Sequence, residues 1–232
     1  MRLRLLVLGL SFRHLIFDLD GTLIDSAADL AAAANATLEE IGLPRQDARQ
    51  ITGFIGEGAR RLVERSLLAA GGPADQASID AALAIFLARY AEHMLDTTVP
   101  YPGIPALLER LHAAGVLLSV STNKPQALSM QILADLGLAE HFAAVIGGDS
   151  LPRRKPDPAC VRLLVERAKV PLEETLLVGD SLIDVATARA ASVPVCAVAW
   201  GVTARATLEA AGPDYLVERP DEIVALAVGG RA

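Results

Sequence analysis

Residues 15–22 read Leu15-Ile16-Phe17-Asp18-Leu19-Asp20-Gly21-Thr22, a short apolar run that stops at two carboxylates and a glycine. A run that is apolar on both faces suits a strand buried inside a parallel sheet. Its polar ending falls where open α/β sheets bind ligands, at the carboxyl end of the strand. Working outward, similar apolar runs occur at residues 116–120, 143–146, 175–178 and 195–199. Amphipathic segments at 104–114, 126–136, 158–168 and 184–191 lie between them. This alternation predicts an α/β fold with a doubly wound, Rossmann-like parallel sheet covered by helices on both faces.

One interval breaks the alternation. From residue 26 to 98 the chain is rich in alanine and leucine at helical spacing and offers no strand, which predicts a helical module inserted after the first strand. Helices are expected to start after Asp25-Ser26, around Gly58 and near Ser78, with Gly42 and Gly71-Gly72 as stop signals. Pro100-Tyr101-Pro102-Gly103 reads as a stiff return linker. The expected organisation is a core of residues 13–25 and 99–232, a helical insertion of 26–98, and a flexible or misassigned leader of 1–12. The leader, MRLRLLVLGLSFRH with its flanking residues, places two arginines before an apolar run, but the run is short and no small-residue cleavage site follows.

Bulk composition narrows the partners. The 232 residues include 21 basic and 28 acidic side chains, a net charge of -7, which disfavours nucleic acid and anionic membrane surfaces. An anionic substrate must be drawn in by a local cation or a metal. The longest stretch without a charge, residues 190–204, contains Pro194 and Gly201 and is too short to span a bilayer. Cys160 and Cys196 are the only cysteines and lack C-x-x-C spacing, so two buried thiols in a cytoplasmic protein are expected. The four histidines show no ligand spacing. No oligomeric state follows from these features.

Four apolar runs end in reactive groups: Asp18-Leu19-Asp20-Gly21-Thr22, Ser121-Thr122-Asn123-Lys124, Gly147-Gly148-Asp149 leading to Lys155-Pro156, and Gly179-Asp180-Ser181 with Asp184 beyond. Asp18 and Asp20 can flank one reacting centre if the chain turns there, one attacking while the other handles protons. A carboxylate that attacks phosphorus forms an acyl phosphate and splits a slow hydrolysis into two easier steps. Asp180, arriving from another strand, would complete an all-oxygen shell suited to magnesium, with Asp184 in support. Lys155 would supply charge to the phosphate oxygens, while the Thr122 hydroxyl and the Asn123 N–H would supply hydrogen bonds. Taken singly, each motif is as readily a loop, a turn or a helix cap. Their order and strand context are what give them weight. The chain has only three lysines, Lys124, Lys155 and Lys169, and two of them fall in these segments.

From residue 14 onward the sequence resembles the haloacid dehalogenase superfamily, whose four motifs correspond to the segments just quoted. The resemblance implies that Asp18 is the nucleophile, and that Asp20 is the general acid/base and a metal ligand through its carbonyl. It implies phosphate binding by Thr122 and Lys155, metal binding by Asp180 with Asp184 in support, and a cap formed by residues 26–98. Within the superfamily, the segments Gly56-Glu57-Gly58-Ala59-Arg60, Ser121-Thr122-Asn123-Lys124-Pro125, Ile146-Gly147-Gly148-Asp149 and Arg154-Lys155-Pro156-Asp157-Pro158 are most similar to bacterial phosphoglycolate phosphatases. Glu57 stands where those proteins often have asparagine and is expected to point away from the site. Leu182-Ile183 replaces a more polar pair. The implied activity is a magnesium-dependent phosphomonoesterase for a small phosphorylated metabolite, with Gly56, Gly58 and Arg60 of the cap setting specificity. A phosphatase or phosphomutase for another small sugar phosphate and a non-catalytic metal-binding phospho-acceptor module are the alternatives. A phosphonate-cleaving relative would need a cap lysine, and none occurs between Ser26 and Thr98.

Overall fold

A computed structural model describes residues 11–229. The sheet begins with β1 (His14–Phe17), which is buried along its whole length, as a strand with neighbours on both edges and helices on both faces must be. A two-residue strand, β2 (Ile24–Asp25), leads into four helices: α1 (Ala27–Glu40), α2 (Ala48–Thr52), α3 (Ala59–Ala69) and α4 (Gln76–His93). A second short strand, β3 (Val99–Pro100), returns antiparallel to β2, pairing Ile24 with Pro100 and Asp25 with Val99. The chain then alternates α5 (Ile104–Ala113), β4 (Leu117–Ser121), α6 (Gln126–Asp135), β5 (Ala144–Ile146), α7 (Ala159–Ala168), β6 (Thr175–Gly179), α8 (Leu182–Ala191), β7 (Val195–Val198), α9 (Arg205–Ala211), β8 (Tyr215–Val217) and α10 (Pro220–Val228).

Six strands form one parallel sheet in the order β5-β4-β1-β6-β7-β8. The chain moves outward from β1 through β4 to β5, then crosses back past β1 to lay down β6, β7 and β8. β1 therefore stands where the winding direction reverses, the position at which such sheets bind ligands. Phe17 is level with Val120 on one side and Val178 on the other, so the residues following all three strands emerge at one edge.

The helical segment is fastened at its root. Asp29, one turn into α1, accepts hydrogen bonds from the backbone N–H and hydroxyl groups of both Thr97 and Thr98, just before β3. Although burial opposes its ionisation, these bonds hold the carboxyl below its ordinary value.

Several expectations shift by a residue or two at element ends, while β2, β3, α2, α9, β8 and α10 were not anticipated. Residues 1–10 of the expected leader lie outside the described residues. Phe12, expected in that leader, belongs instead to the core: it is 2% exposed and packs edge-on against Tyr215. Both cysteines are buried and free. Among the described residues no helix is long and apolar enough to cross a membrane.

Candidate active site

Asp18 begins where β1 ends. Its N–H donates to the Val178 carbonyl, continuing the ladder one step, and its Oδ1 accepts from the Leu19 N–H at 2.7 Å. The chain then turns on Leu19, whose carbonyl accepts from Thr22, Leu23 and Ile24. Gly21 makes this turn at φ +85, and a Cβ there would lie 2.4 Å from the Asp180 carboxylate. Only glycine lets the backbone approach that closely in that conformation.

Three carboxylates converge. Asp18, Asp180 and Asp184 are all buried, and each offers an oxygen within 4.8 Å of the others. Asp180, following β6, accepts from the Thr22 hydroxyl and the Val202 N–H. Asp184 sits in the first turn of α8, where it forms a reciprocal capping box with Ser181. Lys155 lies between two of them, its Nζ 2.7 Å from Asp184 Oδ1 and 3.0 Å from Asp18 Oδ1. Burial pushes the Asp18 carboxyl up to about 7, with Lys155 opposing and Asp184 reinforcing the rise. Burial, together with Asp184 and Asp18, pushes Asp180 up to about 8. Burial works against the Lys155 charge, yet the two carboxylates beside it hold its pKa above the usual lysine value. One lysine leaves three buried carboxylates short of positive charge. A hard divalent cation with oxygen ligands fits that donor set.

Asp20 belongs to a separate arrangement. Its Oδ1 accepts from the Ser26 hydroxyl at 2.5 Å and from Lys124 Nζ at 2.8 Å, and Oδ2 has no partner among the described residues. The carboxylate group is thus held apart from the cluster of Asp18, Asp180 and Asp184. Lys124 also donates to the Tyr90 hydroxyl at 2.6 Å, with its Nζ 4.4 Å from that ring's centroid. Burial opposes the Lys124 charge, but Asp20 and Tyr90 hold its pKa above the ordinary value.

Thr122 follows β4, its N–H donating to the Ile146 carbonyl and its hydroxyl accepting from the Lys124 N–H. Asn123 Nδ2 donates to two carbonyls, Gly56 in the helical segment and Lys155 in the core, while its buried Oδ1 has no partner among the described residues. A cavity opens over Asp18 and Asp20, with Thr122, Asn123 and Lys124 on the core side and Gly56, Gly58 and Tyr90 on the helical side.

Of the expected specificity residues, Gly56 and Gly58 line this cavity and Arg60 does not. The Arg60 guanidinium pairs with Asp80 of α4, and Arg61 pairs with Glu64. Glu57 is bonded to Arg65 and, as expected, stays out of the cavity. Sequence reasoning missed Ser26, Tyr90 and the role of Lys124. The rarity of lysine was a usable signal for Lys124, whereas Tyr90 sits in an apolar helix stripe and carried none.

The sequence model for haloacid dehalogenase-like hydrolases matches residues 15–198. A phosphoglycolate phosphatase from Rhodospirillum rubrum is 46% identical over 193 residues, covering 82% of this chain and 80% of that protein. One from Cereibacter sphaeroides is 47% identical over 179 residues, covering 77% and 81%. The crystal structure of a predicted phosphoglycolate phosphatase from Haemophilus somnus superposes with a TM-score of 0.86 at 30% identity, covering 93% of this chain and 98% of that one. On its motifs, their geometry and these similarities, the chain belongs to the haloacid dehalogenase-like hydrolases.

Proposed function

We propose that this protein is a magnesium-dependent phosphatase that hydrolyses 2-phosphoglycolate through a phosphoaspartyl intermediate on Asp18. The observation that carries this reading is the separation of two carboxylates two residues apart. Asp18 lies in the charged cluster with Lys155, while Asp20 is held apart by Ser26 and Lys124. The names of the relatives support the substrate. Magnesium, held by Asp18, Asp180 and the Asp20 carbonyl with Asp184 in support, would supply charge to the phosphate oxygens.

The residues of the chain divide the remaining work. Thr122 and Asn123 donate to the phosphate oxygens and Lys155 neutralises them. An Asp18 carboxylate oxygen bonds to phosphorus as the ester P–O bond breaks, and the departing alkoxide takes the proton of Asp20. Asp20, now ionised, takes a proton from water as that water's oxygen attacks phosphorus. The Asp18–phosphorus bond breaks, and inorganic phosphate leaves. Residues 26–98 act as a cap that excludes bulk water from these steps, with Gly56 and Gly58 at its contact with the core.

A substrate panel with and without magnesium tests the reading. Asp18→Asn is expected to abolish turnover with the fold intact, and Asp20→Asn to lose roughly 10² to 10⁴-fold. Phosphate trapped on Asp18 in the Asp20 variant would support the division of roles. Full activity in excess chelator, or substantial activity of Asp18→Asn, would overturn it.

A further inference from the structure

The cap arginines, which sequence alone offered for binding a substrate carboxylate, do not line the cavity. Each pairs with a carboxylate elsewhere, Arg60 with Asp80, Arg61 with Glu64 and Arg65 with Glu57, although the buried Nη2 of Arg60 has no partner among the described residues. Among the described residues lining the cavity over Asp18 and Asp20, Lys124 is the only cation, since Lys155 lies beneath, bonded to Asp18 and Asp184. Much of the remaining wall is apolar, formed by Leu30, Ile55, Leu62, Phe86, Leu87 and Leu128. A carboxylate pressed against those side chains would lose its hydration without gaining a partner. An ammonium has three donors. Lys124 spends one on Asp20 Oδ1 and one on the Tyr90 hydroxyl, and the third has no acceptor among the described residues.

The geometry points to Lys124 as the residue that recognises a carboxylate on the leaving group, which selects phosphomonoesters of small 2-hydroxy acids. This rests on the proposed phosphatase reading and adds a named receptor to it. Position supports it as well as charge. Asp20 Oδ1 is occupied by Ser26 and Lys124, so Oδ2 is the oxygen left to reach the ester oxygen. Lys124 therefore stands beside the atom that is protonated, where a carboxylate one carbon away from that oxygen would lie. Tyr90 is a positioning residue. It holds the ammonium from the cap side by hydroxyl and ring face, so a closed cap and an oriented lysine occur together.

The test compares 2-phosphoglycolate with 2-hydroxyethyl phosphate, which keeps the primary ester and its need for a proton but lacks the carboxylate. The unmodified protein is expected to prefer 2-phosphoglycolate in kcat/KM. Lys124→Met should reduce that preference by about 100-fold, the scale of losing one partner of a buried charge pair. Losses that arise through Asp20 strike both substrates equally and cancel in the ratio. Lys124→Gln, which keeps hydrogen bonding without charge, should give the same collapse, so a methionine variant that fails to fold leaves the comparison available. Lys124→Arg should retain most of the preference. Tyr90→Phe should raise KM for 2-phosphoglycolate more than it lowers kcat. A preference unchanged in both neutral variants, with rates falling equally on the two substrates, would overturn the role of Lys124 while leaving the phosphatase standing. No preference in the unmodified protein would overturn both this role and 2-phosphoglycolate as substrate.

Discussion

Asp18 and Asp180 lose hydration on folding and recover only part of it through Lys155, Thr22 and backbone donors. Burial pushes them up to about 7 and about 8, whereas an unfolded aspartate titrates near ~3.9. Between those values the folded state holds protons that the unfolded state has released. A raised acid pKa therefore means that stability falls as pH rises through that window. A divalent cation takes the place of those protons and reverses the penalty most where the carboxylates are most costly. In chelator, the thermal midpoint should accordingly fall between about pH 5 and about pH 8, and magnesium should raise it more at the higher pH. Equal gains from magnesium at both pH values, measured by scanning calorimetry, would argue against these carboxylates as the metal site.

At the scale of elements, the sequence was most legible where burial is complete. β1, β6 and β7 are buried throughout and read as plain apolar runs, and the reactive groups after β1, β4 and β6 followed from strand ends alone. β2 and β3 are two residues each and exist because the outgoing and returning chains pair with each other, which no local period records. The misplaced arginine has a similar cause: Arg60 sits in the right segment, but Asp80, twenty residues on in α4, captures it. The same root holds the Asp29 clasp, which joins α1 to Thr97 and Thr98. Its lowered pKa means that its contribution is present at neutral pH and disappears as pH falls through the ordinary carboxylate range. Asp29→Asn should cost ~1–3 kcal/mol at neutral pH, the penalty for buried donors left poorly paired, and the difference from the unmodified protein should shrink towards pH ~3. Urea unfolding at several pH values checks both, and a pH-independent difference would show that the charge is not what the threonines bind.

Across the whole molecule, contacts between the helical segment and the core surround the cavity. The Gly56 carbonyl accepts from Asn123, Tyr90 accepts from Lys124, and Gly58 faces the Asn123 carbonyl and the Arg154 guanidinium. Two of these core residues directly follow Thr122, so the segment proposed to grip phosphate is also the one that meets the proposed cap. Phosphate that orders Thr122 should then favour closure by fixing its neighbours. Gly58 is the sharpest probe of this coupling because it contributes backbone alone. It sits at φ +87, and a Cβ there would lie 2.7 Å from Arg154 Nη1 and 3.2 Å from the Asn123 carbonyl oxygen. Gly58→Val would add a β-branched side chain at a left-handed position, a strain of ~1–3 kcal/mol that a standing-open cap relieves. The expected result is a roughly 10- to 100-fold loss of kcat/KM on 2-phosphoglycolate, from that strain and the lost closure together. The loss should be several-fold smaller on p-nitrophenyl phosphate, whose leaving group carries no carboxylate to place and needs little help from an acid. The thermal midpoint should move less than the rate, because opening the cap leaves the parallel sheet intact. Equal losses on the two substrates would mean that the contact at Gly58 serves closure in general and takes no part in choosing the substrate.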